Sequence, residues 1–436
     1  MVMISGCSSI EIKSPTELIK KPKLEVNQEK IRQVIEQVLP EKTKLLSVNQ
    51  DDQMGAINFA DIDGDGEDEA IVFYKSLEKE YLLGLTILKH TEQGWVKLDE
   101  KSEVASDIDF IDFSDITGDG TSDLIVGFAG DDEFDKYLVV YSIQAGEIAR
   151  VFEKKYEKII VTDFENRGTN DLIITQVERN VEAKIQLYRG KKGEVELTDE
   201  LIFEDYVNQF DSMKLTNIGK AKGFVVDYKY GNYTSVSTVI KVEDGKLKDL
   251  LADEYSNEYY SKKYKTYYIE STDIDENGVV EIGNYVIDYY DPNDTAKTLL
   301  VEEWYQCTED GKLERIKQSY SDEKYNFRFI FPNRWMDKVH IERNRAKGVE
   351  DSIGIVLLNE KTKKYEPLYA IDIYKVSEWD ELKLNNQEKT EHYMNVINDM
   401  EYAYAIREVN SERSDAFYMN TKISVEELKN GFRLFR

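Results

Sequence analysis

The feature of the sequence that most restricts its fold is an acidic, glycine-containing loop that recurs between two apolar, strand-like segments. The first residues of the five copies are Asp61, Asp115, Asp163, Asn217 and Asp273, in steps of 54, 48, 54 and 56 residues. A repeat of about 50 residues with several short strands is typical of one four-stranded blade of a β-propeller. The sequence therefore predicts a mainly β chain with a β-propeller of about five blades, and propellers contain ~4–8.

The residue types within the loops predict a cation site. Positions 1, 3, 5 and 9 carry side-chain oxygens, position 7 offers its carbonyl, and a glycine at position 6 permits the positive φ that a tight turn needs. Calcium takes about 6–8 hard oxygen ligands, which such a loop can supply. The predicted ligands are Asp61, Asp63, Asp65, Glu67 and Glu69 in the first loop; Asp115, Thr117, Asp119, Thr121 and Asp123 in the second; and Asp273, Asp275, Asn277, Val279 and Glu281 in the fifth.

Two other interpretations compete with that of a calcium-binding loop between strands. An EF-hand begins in the same way, but it requires a bidentate Glu at position 12 and flanking helices. Position 12 is Val72, Val126 or Asn284, and the flanks are strand-like, so the EF-hand is excluded. The other interpretation, Asx-type turns with solvated acids and no metal, remains open.

The strand–loop–strand pattern resembles the FG-GAP/VCBS repeat of integrin-α-like β-propellers, over about residues 50 to 320. That resemblance implies Ca²⁺ as the cofactor, with sites at the first and fifth loops and at the second. In the third loop Arg167 stands where a ligand is expected, and its guanidinium can pair with Asp163 and Asp171 instead. The fourth loop, from Asn217, has no carboxylate, so neither of these two loops is expected to bind metal.

The N-terminal residues predict export. Ile4-Ser5-Gly6-Cys7 resembles a bacterial lipobox, in which the cysteine becomes lipidated. This resemblance implies a truncated signal over residues 1–7 and a protein anchored by lipid at Cys7. Its location would be the outer face of the cytoplasmic membrane, as in Gram-positive bacteria.

The remaining organisation follows from changes in pattern along the chain. Residues 8–26 are polar and read as a tether, and residues 27–45 contain an amphipathic helix with apolar side chains at helical spacing. The repeats predict a propeller over residues 46–321. Residues 322–436 lack the repeat, and we expect them to form a small α+β C-terminal domain that closes with a helix over Val425 to Phe435.

Charge and motif content limit the possible functions. The chain has 436 residues and a net charge of −29, which disfavours nucleic acid and anionic membrane surfaces as partners. Its three histidines are not paired in spacing, and no nucleophile or nucleotide-binding motif is present. Cys307, in an apolar segment, is expected to be buried.

Three functional hypotheses follow. The first is a non-enzymatic, calcium-binding lipoprotein that acts as a binding or scaffold module for a protein or glycan at the cell surface. The alternative is an extracellular polysaccharide-active hydrolase with its site on a propeller face. In a third, calcium regulates a loop that gates binding. Tyrosine-rich stretches, which include Tyr267 and Tyr268, could stack on sugars or pack between strands.

Overall fold

The computed structural model describes residues 26–47, 55–130, 135–144, 147–178, 181–203, 206–231, 234–252, 264–265, 267–289, 299–344, 348–385, 390–409, 412 and 414–435. Cys7 and the predicted signal and tether lie outside these residues. By contact density the chain divides into two compact units, Met1–Lys155 with Gly190–Val195, and Tyr156–Arg189 with Glu196–Arg436. In the described part of the chain, no helix combines the length and apolar character needed to cross a membrane.

The chain is mainly β, as the sequence predicts, and its strands form six antiparallel sheets within the described residues. In most of these sheets successive strands are neighbours, which is the up-and-down arrangement of propeller blades. The count of five blades stays a prediction.

The first compact unit contains one helix and two sheets. Helix α1 packs its apolar side chains Ile31 and Ile35 against Ala70, Val72 and Leu88 of the first sheet. The elements of the first sheet and its helix are α1 (Val26–Val38), β1 (Thr43–Leu45), β2 (Ile57–Ala60), β3 (Glu69–Ser76), β4 (Leu82–Thr91) and β5 (Gly94–Val104). The second sheet contains β6 (Asp107–Ser114), β7 (Asp123–Ala129), β8 (Tyr137–Gln144) and β9 (Glu147–Lys155).

Burial within the first sheet follows the residue types of its strands. The β-branched and aromatic run of β3 is buried on both faces, whereas β5 carries Lys and Glu and is partly exposed. Charged side chains on an outer strand protect an open sheet edge from pairing with another chain. Ile71 and Phe73 of the first sheet share one core with Ile111 and Val126 of the second.

Two more sheets begin the second compact unit. Their strands are β10 (Ile159–Thr162), β11 (Asp171–Glu178), β12 (Glu182–Lys191) and β13 (Glu194–Phe203), then β14 (Val207–Ile218), β15 (Ala221–Tyr230), β16 (Thr234–Glu243), β17 (Lys246–Asp249) and β18 (Tyr264–Lys265). Strand β18 pairs with β16 outside the four-stranded path. Phe210 and Phe224 of the second of these sheets pack in one core with Ile173 and Leu187 of the first.

The last two sheets share a large aromatic core that includes the fully buried Trp335. The indole Nε1 of Trp335 donates to the carbonyl of Thr421 at 2.7 Å. The strands of these sheets are β19 (Ile282–Tyr289), β20 (Leu299–Cys307), β21 (Leu313–Asp322) and β22 (Phe327–Ile330), then β23 (Val339–Asn344), β24 (Asp351–Asn359), β25 (Lys364–Lys375), β26 (Tyr393–Asn398) and β27 (Tyr402–Glu408). Three helices and a last strand accompany them: α2 (Val376–Asn385), α3 (Ala416–Thr421), α4 (Val425–Gly431) and β28 (Phe432–Leu434).

One predicted helix ends where the sequence indicated, and another is shorter. Within residues 27–45, helix α1 ends at Val38, just before Pro40, and residues 43–45 pair with β3. The closing helix expected over Val425 to Phe435 ends at Gly431. Its last residues instead form β28, because Phe432 packs against Phe327 in the aromatic core and pairs with β22.

The fifth sheet includes residues from both sides of the predicted boundary at 321/322. Strands β19 to β21 precede or span it, whereas β22 and β28 follow it. The division into a propeller and a separate C-terminal domain stays a prediction. Cys307, at the end of β20, is buried, and burial raises the pKa of its thiol to about 12, which leaves it protonated and unreactive.

An ion pair lies completely inside the fourth sheet. Lys265 donates from Nζ to Asp227 at 3.2 Å and to the carbonyl of Ile269 at 2.7 Å. Asp227 also accepts from the Ser271 N–H at 2.8 Å and from the hydroxyls of Ser212 and Ser237. Burial by itself raises the pKa of Asp227, but Lys265 and these donors outweigh burial and hold the pKa below its usual value. The pair thus fastens the residues before the fifth loop to the fourth sheet.

Replacement of Lys265 should destabilise the protein strongly. In Lys265→Met the Asp227 carboxylate would stay buried without its cation, which costs about 3–5 kcal/mol in comparable pairs. Urea unfolding followed by tryptophan fluorescence would measure this loss. The control is Lys246→Met, which removes a 68% exposed lysine paired with Asp199 and should cost less than about 1 kcal/mol. Equal, small losses in both variants would contradict the assignment of Asp227 as a buried charge.

Candidate metal-binding loops

Four of the five repeat loops share one backbone register. In each, the acid at position 9 pairs across the hairpin with the residue just before position 1. These pairs are Ala60 with Glu69, Ser114 with Asp123, Thr162 with Asp171 and Thr272 with Glu281. The four loops therefore join antiparallel strand segments rather than helices, and the position-9 acid lies at the base of each loop.

These four acids are completely buried. Glu69, Asp123, Asp171 and Glu281 each have 0% of their surface exposed. Each accepts a hydrogen bond from the N–H at position 2, with distances of 3.1, 2.8, 3.3 and 3.0 Å in chain order. A buried carboxylate is costly unless a positive charge or enough donors surround it. The four loops differ in how they meet this requirement.

The aspartate at position 1 holds the turn itself. Its side chain accepts from the N–H of the glycine at position 6, at 2.9 Å in the first loop and 2.7 Å in the fifth. Gly66, Gly120, Gly168 and Gly278 all have φ between 84° and 94°, a region that other residues rarely adopt. The loop forms these bonds within itself, so loop shape by itself says nothing about metal.

The fifth loop has a free oxygen where a cation would bind. Carboxylate oxygens of Asp273, Asp275 and Glu281 lie within 4.8 Å of one another. Glu281 Oε2 accepts from the N–H of Ile274, whereas Glu281 Oε1 is buried and has no hydrogen-bond partner among the residues that the structure describes. Burial, together with Asp275 and Asp273, raises the pKa of Glu281 to about 7. These residues can hold a metal ion.

Residues of the fourth sheet position the fifth loop. Thr216 Oγ1 accepts from the N–H of Val280 at 2.8 Å, and Asn217 Nδ2 donates to the carbonyl of Gly278 at 3.0 Å. Asn217 is the first residue of the eroded fourth repeat. In the structure it lies on β14, before the two-residue turn Gly219–Lys220 that connects β14 to β15. The fourth loop is therefore reduced to a hairpin turn whose strand supports its neighbour.

The first loop gathers a similar group, Asp61, Asp63 and Asp65, but it also receives a lysine. Lys89 Nζ contacts Asp63, lies 2.7 Å from Asp65 and 3.7 Å from Glu69 Oε1. The hydrogen bonds that Lys89 donates to Asp63 and Asp65 raise its pKa, so it carries its full charge at neutral pH.

In the second loop, N–H and hydroxyl groups of the loop itself donate more hydrogen bonds to the acids than in the first loop. Asp123 Oδ2 accepts from the N–H groups of Ile116 and Thr117, both at 2.8 Å, and the Thr117 hydroxyl lies 3.3 Å from Asp123 Oδ1. Asp119 accepts from both the N–H and the hydroxyl of Thr121. Its acids do not form a group of three close enough to share an ion among the described residues.

Two arginines fill the third loop. Arg167 pairs with Asp171, as its sequence position suggested, but it reaches Asp163 through its main-chain N–H. Arg189 was not recognised in the sequence. It donates to Asp171 at 2.7 Å and also contacts Glu165. The guanidinium groups supply the positive charge that the buried acid requires.

Sequence reasoning missed Lys89, Arg189 and Asn217 because they lie outside the loop motifs that they complete. Lys89 and Arg189 could have been found from the cross-strand pairing of the hairpins in which they lie. Asp171 is opposite Arg189 in the β11–β12 pair, and the β3–β4 register continued by one residue places Glu69 opposite Lys89. Asn217 gives no such signal, because its contact is with a neighbouring repeat.

Apart from the loops, the second unit has a cleft lined by tyrosines, with a volume of about 420 Å³. Tyr267 and Tyr268 are 53% and 42% exposed, and Tyr285 and Tyr320 belong to the same lining. The lining also includes Ser321, Asp322, Glu323 and Arg343. Asp322 accepts from Tyr320 and Arg343 and from the N–H groups of Lys324 and Tyr325. Its carboxylate is therefore part of the wall of the cleft and is already hydrogen-bonded.

Comparison with known proteins gives no family. No family model matches the chain, and no curated protein matches it. Solved structures with some similarity include a rhamnogalacturonan lyase of Bacillus licheniformis, at 12% identity and a TM-score of 0.29, with 74% of this chain and 83% of that chain covered. A protein from Lactobacillus plantarum has 11% identity and a TM-score of 0.28, covering 70% of this chain and 82% of that one. The Dos1 propeller has 10% identity and a TM-score of 0.30, with 77% and 79% covered. We draw no conclusion about function from similarities of this size.

Loss of the Thr216 hydroxyl should destabilise the fifth loop. In Thr216→Val the buried N–H of Val280 would lose its acceptor, at a cost of about 1–3 kcal/mol in unfolding free energy. Thr216→Ser keeps the hydroxyl and is the matched control. Chemical unfolding of both variants would measure the difference. A valine variant as stable as the serine variant would show that this bond does not hold the loop.

Proposed function

We propose that this chain is a non-enzymatic, calcium-binding module with FG-GAP/VCBS-like repeats that binds a partner at the cell surface. The observation that carries the proposal is the fifth loop, in which Glu281 Oε1 is buried beside Asp273 and Asp275 and has no hydrogen-bond partner within the described part of the chain. A carboxylate oxygen kept from water without a donor is costly, and a cation at this position removes the cost.

The donor set favours calcium over transition metals. The side chains that converge in the fifth loop offer oxygen, and Asn277 with the Val279 carbonyl extends the set without nitrogen or sulfur ligands. Hard oxygen donors suit Ca²⁺, whereas Zn²⁺ and Cu²⁺ prefer imidazole and thiolate. Main-chain bonds already hold the loop in shape, so binding would need little rearrangement.

The proposed location agrees with this chemistry. The lipobox-like residues that end at Cys7 support export and a lipid anchor on the outer face of the cytoplasmic membrane. Extracellular calcium modules bind at about 10⁻⁴–10⁻³ M, a concentration that is found outside cells and not in the cytosol. The succession of antiparallel four- and five-stranded sheets with equivalent loops supports the propeller-repeat assignment.

We assign partner binding to the tyrosine-lined cleft, with a glycan as the partner. Exposed tyrosine rings stack on the apolar faces of sugars, and their hydroxyls and nearby polar groups can bind sugar hydroxyls. A hydrolase would need two available carboxylates in such a cleft. Asp322 is already bonded to Tyr320, Arg343 and two N–H groups, which favours binding over the alternative of a polysaccharide-active enzyme.

Calcium should stabilise the protein through the fifth loop. At a hundredfold excess over Kd, a ligand of the native state adds about 2.7 kcal/mol to the unfolding free energy. We therefore expect the melting temperature of the full chain, carrying Cys7→Ser to prevent lipidation, to rise between EDTA and millimolar calcium. Asp275→Asn should abolish most of this rise.

The matched control is Glu276→Gln, which removes the same charge from the adjacent residue of the same loop. Glu276 lies outside the group of converging carboxylates, and its side chain is 78% exposed. The calcium-dependent rise should persist in this variant. An absence of any rise in the unsubstituted protein would refute calcium binding.

The cleft can be tested with tyrosine variants. Tyr267→Ala and Tyr268→Ala should each weaken binding to purified cell-wall polysaccharide by about two- to tenfold, since stacking contributes about 0.5–1.5 kcal/mol and 1.4 kcal/mol is a factor of ten. Tyr365→Ala is the control, because Tyr365 is 54% exposed and lies outside the cleft. Equal binding by all three variants would exclude the cleft as the binding site. Binding that is lost after protease treatment of the wall would indicate a protein partner.

A further inference from the structure

The ammonium group of Lys89 lies among the acids of the first loop, where a cation would be expected. It contacts Asp63, is 2.7 Å from Asp65 Oδ2 and is 3.7 Å from the buried Glu69 Oε1. The ammonium group donates hydrogen bonds to Asp63 and Asp65. It is an ion-pair partner of Glu69 Oε1 without a hydrogen bond, and among the described residues that oxygen, like Glu281 Oε1, has no hydrogen-bond partner. Its side chain is 24% exposed and that of Asp63 is 18% exposed, so water screens this contact only partly.

The position of Lys89 is equivalent to one position in each of the other loops. It is the residue of the next strand that faces the position-9 acid. Arg189 is paired with Asp171 between β11 and β12. In the other three hairpins the pairing ends one residue earlier. Continued by one residue, it places Lys89 opposite Glu69, Ser142 opposite Asp123 and Gln306 opposite Glu281. The facing residue is therefore cationic in the first and third loops and uncharged in the second and fifth.

A calcium ion and the Lys89 ammonium could not both occupy the first loop. At the distances observed, the ion would bind the same oxygens of Asp63, Asp65 and Glu69, and two cations within about 4 Å repel each other strongly away from bulk water. Calcium would have to displace the lysine and break its contacts. In the fifth loop, the uncharged Gln306 presents no such competitor.

We propose that Lys89 takes the place of calcium in the first loop, so that in the first and fifth loops, whose acids converge, the residue facing position 9 decides whether the loop binds metal. The first loop is then neutralised by the chain itself, as the third is by arginine. The fifth loop binds the ion. This inference rests on the proposed function only for the fifth loop, because the first loop is tested separately below.

The test counts calcium ions by equilibrium dialysis with radiolabelled calcium on four full-length proteins that share Cys7→Ser. We expect one ion per chain for the unsubstituted protein and none for Asp275→Asn. Lys89→Met should bind two ions, and Lys89→Met with Asp275→Asn should bind one. Lys89→Arg keeps the cation and should behave as the unsubstituted protein.

Several results would overturn the inference. One is an ion retained by Asp275→Asn, since the first loop would then bind calcium with Lys89 in place. Another is a folded double variant that binds none, since the first loop would not be a site even without the lysine. Circular dichroism and melting establish folding, and Lys89→Gln, which copies the residue of the fifth loop, replaces the methionine variant if that one does not fold.

Failure of the proposed function would be recognised separately. An unsubstituted protein that binds no ion, together with a Lys89→Met variant that binds one, would disprove calcium at the fifth loop and support the role of Lys89. If neither protein bound calcium, both the proposed function and the inference would be wrong.

Discussion

The constraint on which the repeat loops depend is a carboxylate buried at the base of a hairpin. Glu69, Asp123, Asp171 and Glu281 are equivalent in register and completely buried. Burying a charge is costly unless it is compensated, so each loop must supply either donors or a cation. The second loop supplies N–H groups and a hydroxyl, the third supplies two guanidinium groups, and the first supplies an ammonium group. Among the described residues, Glu69 Oε1 and Glu281 Oε1 both lack a hydrogen-bond partner, but only Glu69 Oε1 has an ammonium group beside it.

The turns of the four loops also share one hydrogen bond. The bond from the glycine at position 6 to the aspartate at position 1 occurs in all four loops, including the third, in which arginine fills the site. The backbone is therefore organised by the loop's own hydrogen bonds. A cation, or a basic side chain in its place, compensates charge and does not shape the turn.

Much of the architecture could be predicted from the sequence because it depends on local pattern. Strand runs such as that of β3, and the Asp and Gly positions of each loop, are visible in a single stretch of chain. The occupants of the loops could not be predicted in this way. Lys89 and Arg189 reach their acids through hairpin pairing with the next strand, and Asn217 through contact with another repeat. The strand at Phe432 was read as helix because its helical neighbours hide its long-range pairing with β22.

The place of β28 in the fifth sheet has a consequence for how the chain is made. Strand β22 ends at Ile330, and its partner β28 begins about a hundred residues later, at Phe432. Proteins are synthesised from the N-terminus, and pairings between distant segments form slowly. One edge of β22 therefore stays open until residue 434 has been translated, and the aromatic core around Phe327 is incomplete until then. During that interval the open edge of β22 presents unpaired main-chain groups that can pair with other chains.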